Sequence, residues 1–315
     1  MTQIAGLSTL AIEPGGGYEQ RMDIGKLGLW FFLDTLPAVD AAKFVQRIEE
    51  LGYPALWLPE AVGREPFANI GFLLARSERI TLATGIANIW ARDPMTMAAG
   101  QKTLAEQSGG RFLLGIGVSH APLVGLRGHQ YRRPLTFMRE YLDAMQRAPF
   151  LAVGPSETPP TVIGAIRPKM LALAAEKTTG SHTYFVPPEH TARSRKILGP
   201  DKWLCVAQAV VFESDPAQAR AAARQYMRTY VPTLPNYTEN LRDLGYGDAD
   251  FADGCSDRLV DDIVAWGSED KIAARFRAHL DAGASHVCFL PLRPDGVPRA
   301  DIRAVEAFAP SKLKV

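Results

Sequence analysis

Two side chains in this sequence stand where a proton could be given or taken. Glu60 closes the run ALWLPE (55–60), and His120 follows GIGVS, just past a Gly-x-Gly pair. A carboxylate at the end of an apolar run can accept hydrogen bonds from a bound group or move a proton; it can equally be a loop acid paired with Arg64. If the run alternates as a strand, Leu56 and Leu58 share the face that carries Glu60. The His120 imidazole titrates near neutrality, which suits general acid or base work, and a solvated loop histidine fits the same position. His182 and His286 stand at the starts of apolar runs and His279 lies within a helical pattern, so these three read as structural.

Other spacings suggest holding an anion rather than making a bond. Gly164, Ala165 and Ile166 lead through Arg167, Pro168 and Lys169 straight into a helical pattern, so N–H groups at a helix start with basic neighbours could hold a phosphate. A plain helix start, with Pro168 in its first turn and two solvated basic residues, reads slightly better. PPEHTARSRK (187–196) supplies a second basic stretch. His120 and His129 have no third ligand at a recognised metal spacing. GIGVSH places His120 where a dinucleotide fingerprint needs its third glycine, and the sequence has neither a G-x-x-x-x-G-K-[ST] loop nor a G-x-S-x-G elbow.

The elements that must position these residues follow from the apolar pattern. Eight short runs, at 27–34, 55–60, 80–86, 111–117, 160–166, 181–187, 203–212 and 285–292, alternate with segments of helical period. Phe44, Val45, Ile48 and Leu51 repeat at helical spacing before Gly52, and Gly109-Gly110, Gly180 and Gly283 end later helices in the same way. Asp93-Pro94, Ser214-Asp215-Pro216 and Ser268 supply helix starts. The pattern predicts one α/β domain over residues 1–315, a (β/α)8 TIM barrel with an N-terminal extension over 1–25. Two stretches are too long for plain connections, 118–136 after strand four and 231–262 after strand seven, and read as lids or substrate loops. A doubly wound nucleotide-binding sheet is the second choice. Barrel sites lie at the C-terminal strand ends, which selects Asp34, Glu60 and residues 85–88, 117–120, 164–166 and 186–190.

Thirty-five basic and 34 acidic residues leave a formal charge of +1, so no global field favours nucleic acid or an anionic membrane. No apolar run approaches the roughly 20 residues that span a bilayer. Cys205, Cys255 and Cys288 are widely spaced and lack a C-x-x-C pair, which with the absent leader pattern predicts a cytoplasmic protein without a disulfide framework.

At ALWLPEAVGREPF, TLATGIANIWARDPMTMAAGQKTLAEQSGGRFLLGIGVSHAPL and KMLALAAEKTTGSHTYFVPPEHTARSRKILG, the chain resembles the luciferase-like flavin and deazaflavin oxidoreductases, above all the branch that uses coenzyme F420. The likeness covers residues 27–215. It implies a barrel, a homodimer, and a bulge with a non-prolyl cis peptide at Gly85-Ile86 that backs the isoalloxazine or deazaflavin ring. It also implies that Asn88 bonds the ring or its polyol chain and that Glu60 is the acid ending strand two. The strand-four end at Gly117 and Val118 faces the cofactor on this reading, and the backbone at Gly164, Ala165 and Ile166 meets its phosphate. Two positions depart from the sugar-phosphate dehydrogenases of the family, where a histidine follows the strand-two acid and a glutamate closes strand four; here these are Ala61 and His120. A glucose-6-phosphate dehydrogenase activity is therefore not expected.

The activity the resemblance implies is hydride exchange between F420 and a small organic substrate, under a lid at 118–136, with His120 as proton donor or acceptor. Trp90 and Phe185 suit a hydrophobic or ring-bearing substrate. One alternative is an FMN-dependent monooxygenase using O2, served by a separate flavin reductase, as the F420 enzyme could be by an F420 reductase. The other is a non-catalytic flavin or deazaflavin carrier.

Overall fold

The computed structural model describes residues 22–313, so most of the expected N-terminal extension lies outside the described residues. All eight apolar runs become strands: β1 (Leu27–Trp30), β2 (Ala55–Leu58), β3 (Thr81–Thr84), β4 (Phe112–Gly117), β5 (Thr161–Gly164), β6 (Gly180–Tyr184), β7 (Trp203–Val211) and β8 (His286–Leu292). Every pairing is parallel, and β8 bonds both β7 and β1, which closes the ring. Helices cover the connections, as the sequence pattern requires of a parallel barrel. None of the described helices is long and apolar enough to cross a membrane.

The start and stop signals act largely as read. Asp93 accepts hydrogen bonds from the N–H groups of Met95 (2.9 Å) and Thr96 (3.0 Å), and Asp215 and Ser268 cap their helices likewise. Gly52 and Gly283 sit at φ 86° and 99°, the left-handed turn that ends a helix. Gly180 is different. Its helix ends at Lys177, and Gly180 opens β6, where any Cβ would lie 2.0 Å from the Trp203 carbonyl oxygen. Close strand approach, not helix termination, requires glycine there.

The interior of the barrel corrects the reading of strand two. Trp57, rather than Leu56 and Leu58, points inward: its ring lies 4.8 Å from that of His182, and its Nε1 donates to His286 Nε2 at 3.1 Å. Leu56 and Leu58 alternate outward to the helix layer. His286 Nδ1 in turn donates to Gly25 O, and burial holds this imidazole neutral, at a pKa of about 4. His279 is also structural, fixed between Thr191 Oγ1 and Gln208 Oε1.

Both long stretches contain helices. The first holds Ala121–Leu126; the second holds Pro235–Arg242, Asp248–Phe251 and Asp257–Ile263, then a short strand, Val264–Trp266, that pairs with β7 and has no counterpart among the eight runs. The first follows the C-terminal end of β4, the face where a barrel builds its site; the second follows the helix Pro216–Met227.

Candidate active site

The site begins with a defect in strand three. Ala83 pairs with Leu113 and Ala87 with Ile116, so four steps on one strand oppose three on the other, which is a bulge. The Gly85-Ile86 peptide within it is cis. Hydrogen bonds pin both sides: Gly85 N–H donates to Leu58 O (2.8 Å), Trp30 Nε1 donates to Gly85 O (2.8 Å), and Glu60 N–H reaches Ile86 O at 3.3 Å. Packing explains the glycines. A Cβ on Gly85 would stand 2.8 Å from Trp30 Nε1, and one on Gly117 would stand 2.6 Å from Ile86 Cδ1. The bulge packs this closely only because these side chains are missing.

Glu60 is buried, with its side chain 5% exposed, and its oxygens are taken. Arg92 donates to both oxygens (2.9 and 3.1 Å), Asn88 N–H to Oε2 (2.7 Å) and Arg127 to Oε1 (3.2 Å). Arg64, the partner considered from sequence, instead bonds the carbonyls of Leu33 and Leu36. Glu60 thus ties strand two, the bulge and the first insertion together, with no lone pair set aside for a proton.

His120 is not a solvated loop residue. Ser119, at φ 56°, turns the chain after Gly117 and Val118, and His120 lies against Tyr237 with ring centroids 5.3 Å apart and Nε2 to Oη at 3.4 Å. Burial pushes its pKa below 6.5, so the imidazole is neutral at physiological pH. The same burial pushes the Tyr237 phenol up.

These groups line one cleft that opens to solvent. Gly85, Ile86, Gly117, Val118, Gly164, Ala165 and Ile166 all reach it, together with Glu60 and His120. Asn88 does not: it is buried beneath the bulge, and its Oδ1 accepts from Trp90 N–H. Trp90 lies outside the cleft, and Phe185 is buried behind its wall among tyrosines 226, 230 and 237. The lining aromatics are Trp30, Phe32, Tyr184, Tyr230 and Tyr237. His182 corrects a further reading: it sits mid-strand and reaches the cleft, kept neutral by burial with a pKa of about 3. Asn236 and Tyr237 come from the second insertion and Tyr230 from the turn just before it, where the sequence carries no motif to single them out.

The basic stretches are mostly committed elsewhere. Arg193 bonds Glu189 and Asp243 O, and Arg195 bonds the carbonyls of Gly199, Lys202 and Gly283. Arg167 differs. Its Nη1 is buried without a hydrogen-bond partner, 3.3 Å from Asp243 Oδ2 but out of hydrogen-bond alignment. This donor follows directly on Ile166 at the cleft wall.

Comparison with known proteins matches this geometry to a family. The profile for luciferase-like monooxygenases covers residues 29–286. A Mycobacterium tuberculosis protein provisionally named coenzyme F420-dependent oxidoreductase Rv3520c is 25% identical over 330 residues, covering 85% of this chain and 94% of the relative. Among solved structures, an F420-dependent secondary alcohol dehydrogenase in complex with an F420-acetone adduct superposes with a TM-score of 0.74 at 15% identity, over 90% of this chain and 97% of that one. The FMN-bound oxygenating constituent of 3,6-diketocamphane monooxygenase from Pseudomonas putida superposes with a TM-score of 0.66 at 16% identity, over 90% and 96%. The chain therefore belongs to the luciferase-like monooxygenase family of enzymes.

Proposed function

We propose that this enzyme is an oxidoreductase that exchanges a hydride between coenzyme F420 and a small organic substrate. The observation that carries the reading is a side-chain-poor backbone shelf, Gly85-Ile86 with Gly117 and Gly164, opening into the same cleft as a half-buried neutral histidine. A planar ring needs such a shelf, and hydride chemistry at a C–O bond needs a proton acceptor beside it. Arg167, which follows Ile166 directly and is ion-paired with Asp243 at 3.3 Å, is the cation placed beside this backbone for the anionic tail of a nucleotide-like cofactor. The F420-dependent names of the relative and of the alcohol dehydrogenase agree with this choice.

Bound F420 supplies a carrier for two electrons as hydride. The protein supplies the rest. The Trp30-backed bulge and the backbone at 164–166 would hold and orient the ring, and Leu123, Tyr230 and Tyr237, which line the same cleft, would exclude water from it. His120 Nε2 takes a proton when substrate is oxidised and returns it when substrate is reduced.

The FMN-bound neighbour supports a second reading, an oxygen-using monooxygenase fed by a separate reductase. A paired assay separates the two. The first reading predicts anaerobic loss of oxidised F420 absorbance with an alcohol panel and no O2 uptake with reduced FMN; the reverse pattern contradicts it. A non-catalytic carrier would give neither signal.

A further inference from the structure

The first insertion carries His120, yet it is fastened to the barrel at few points. Residues 119–133 run between two left-handed turns, Ser119 at φ 56° and Arg133 at φ 48°, and hold one short helix, Ala121–Leu126. Upstream, Ile89 N–H donates to Gly117 O (3.1 Å) and Trp90 Nε1 to Val118 O (2.9 Å), so the chain is pinned up to Ser119 and free to turn there. Val124 is the segment's one fully buried side chain and stands apart from the continuous barrel core; Gly125 through Gln130 are exposed. Among the described residues, two side chains of the segment hydrogen-bond outside it. His120 makes its long 3.4 Å contact with Tyr237, and Arg127 Nη2 donates to Glu60 Oε1 and to Ala61 O, each at 3.2 Å. A segment with so little buried contact opens at low cost.

The Arg127 fastening is one that can be released. Arg127 is 32% exposed whereas Glu60 is 5% exposed, so water meets the guanidinium as it leaves. Breaking a buried ion pair is costly when it strands a bare charge. Here it does not: Arg92 still donates to both Glu60 oxygens (2.9 and 3.1 Å) and Asn88 N–H to Oε2 (2.7 Å). Val118, Ser119, His120 and Leu123 line the cleft, so any swing of the segment about Ser119 moves the cleft wall and takes the imidazole off Tyr237.

We infer that residues 119–133 form a gate over the cleft, latched by Arg127 on Glu60 and Ala61 O. Arg127 does not line the cleft; it is a positioning residue that acts through His120, which the closed latch sets beside Tyr237. The passage of F420 through the gate rests on the proposed function, and the latch does not.

Thiol labelling of Val124→Cys with neutral N-ethylmaleimide, on the cofactor-free chain, tests the latch, because the three native cysteines are buried and set the background. Adding Arg127→Met is expected to speed labelling of Cys at this position about 5-fold, as loss of one partly exposed ion pair does, and Arg127→Lys to restore most of the protection. Raising salt from about 0.02 M to about 0.5 M should speed labelling while Arg127 is present and have no effect with Arg127→Met. Stopped-flow binding of F420 reads the gate: association and dissociation are both expected to quicken about 3-fold or more in Arg127→Met. Unchanged labelling, or an equal rise at the native cysteines, overturns the latch. Binding rates that stay fixed while labelling quickens overturn the gate. Absence of F420 binding overturns the cofactor reading alone, since labelling is read without cofactor.

Discussion

His120 and Glu60 divide their work in a way that neither residue type alone reveals. His120 is half-buried, neutral and adjacent to the phenol of Tyr237, whereas Glu60 has its oxygens filled by two arginines and a backbone N–H. His120→Ala is therefore expected to lower kcat by about 10²-fold while leaving the F420 dissociation constant within about twofold, as steady-state kinetics and a binding titration would show. In the oxidising direction only the neutral imidazole accepts a proton, so kcat/KM should fall with acid around a midpoint below 6.5. Glu60→Gln should leave that midpoint in place, and a shift in it would return Glu60 to the proton path. Sequence could mark both residues because each closes an apolar run. It could not supply their partners: Tyr237 is 117 residues from His120, and Arg92 and Arg127 reach Glu60 from separate segments.

At the scale of elements, the bulge is the feature the rest accommodates. Thr84 Oγ1 accepts from Gly115 N–H and donates to Gly115 O, filling the gap that the extra residue opens between β3 and β4. A Cβ on Gly115 would lie 2.2 Å from Thr84 O, a backbone atom that cannot step aside. Gly115→Ala should cost about 2 kcal/mol or more in a urea titration, well above the roughly 1 kcal/mol expected for removing the Asp93 cap with Asp93→Ala. Equal losses would mean that the bulge yields easily. The eight strands were legible because apolar runs of strand length recur between helical patterns. Gly180 was misread because a glycine ahead of a strand looks alike whether it ends a helix or admits a neighbouring strand. Trp57 was misplaced because β2 is apolar on both faces, which hides its alternation. The aromatic wall was missed because Tyr184, Tyr230 and Tyr237 come from a strand end, a helix exit and an insertion far apart in sequence, with no shared periodic signal.

Over the whole molecule, the barrel encloses several imidazoles that are neutral in the folded state, with His182 and His279 at a pKa of about 3 and His286 at about 4. Each lies below the unfolded value of about 6.5, so the unfolded chain binds these protons first. Above about pH 7 these residues make stability independent of pH; as pH falls below 6.5 towards 4 they lower it, by up to about 1.4 kcal/mol per pH unit for each. The urea midpoint should therefore be lower at about pH 5 than at about pH 7.5, and an unchanged midpoint would mean that these imidazoles are not enclosed as described. The same enclosed barrel presents the shelf, the histidine and the tyrosine wall to one cleft, and the central claim is that this cleft is built for a deazaflavin. Equilibrium titration of the purified protein with F420 and with FMN measures that claim most directly: the account predicts saturable F420 binding at micromolar concentration or tighter with no measurable affinity for FMN, and tight FMN binding without F420 binding would contradict it.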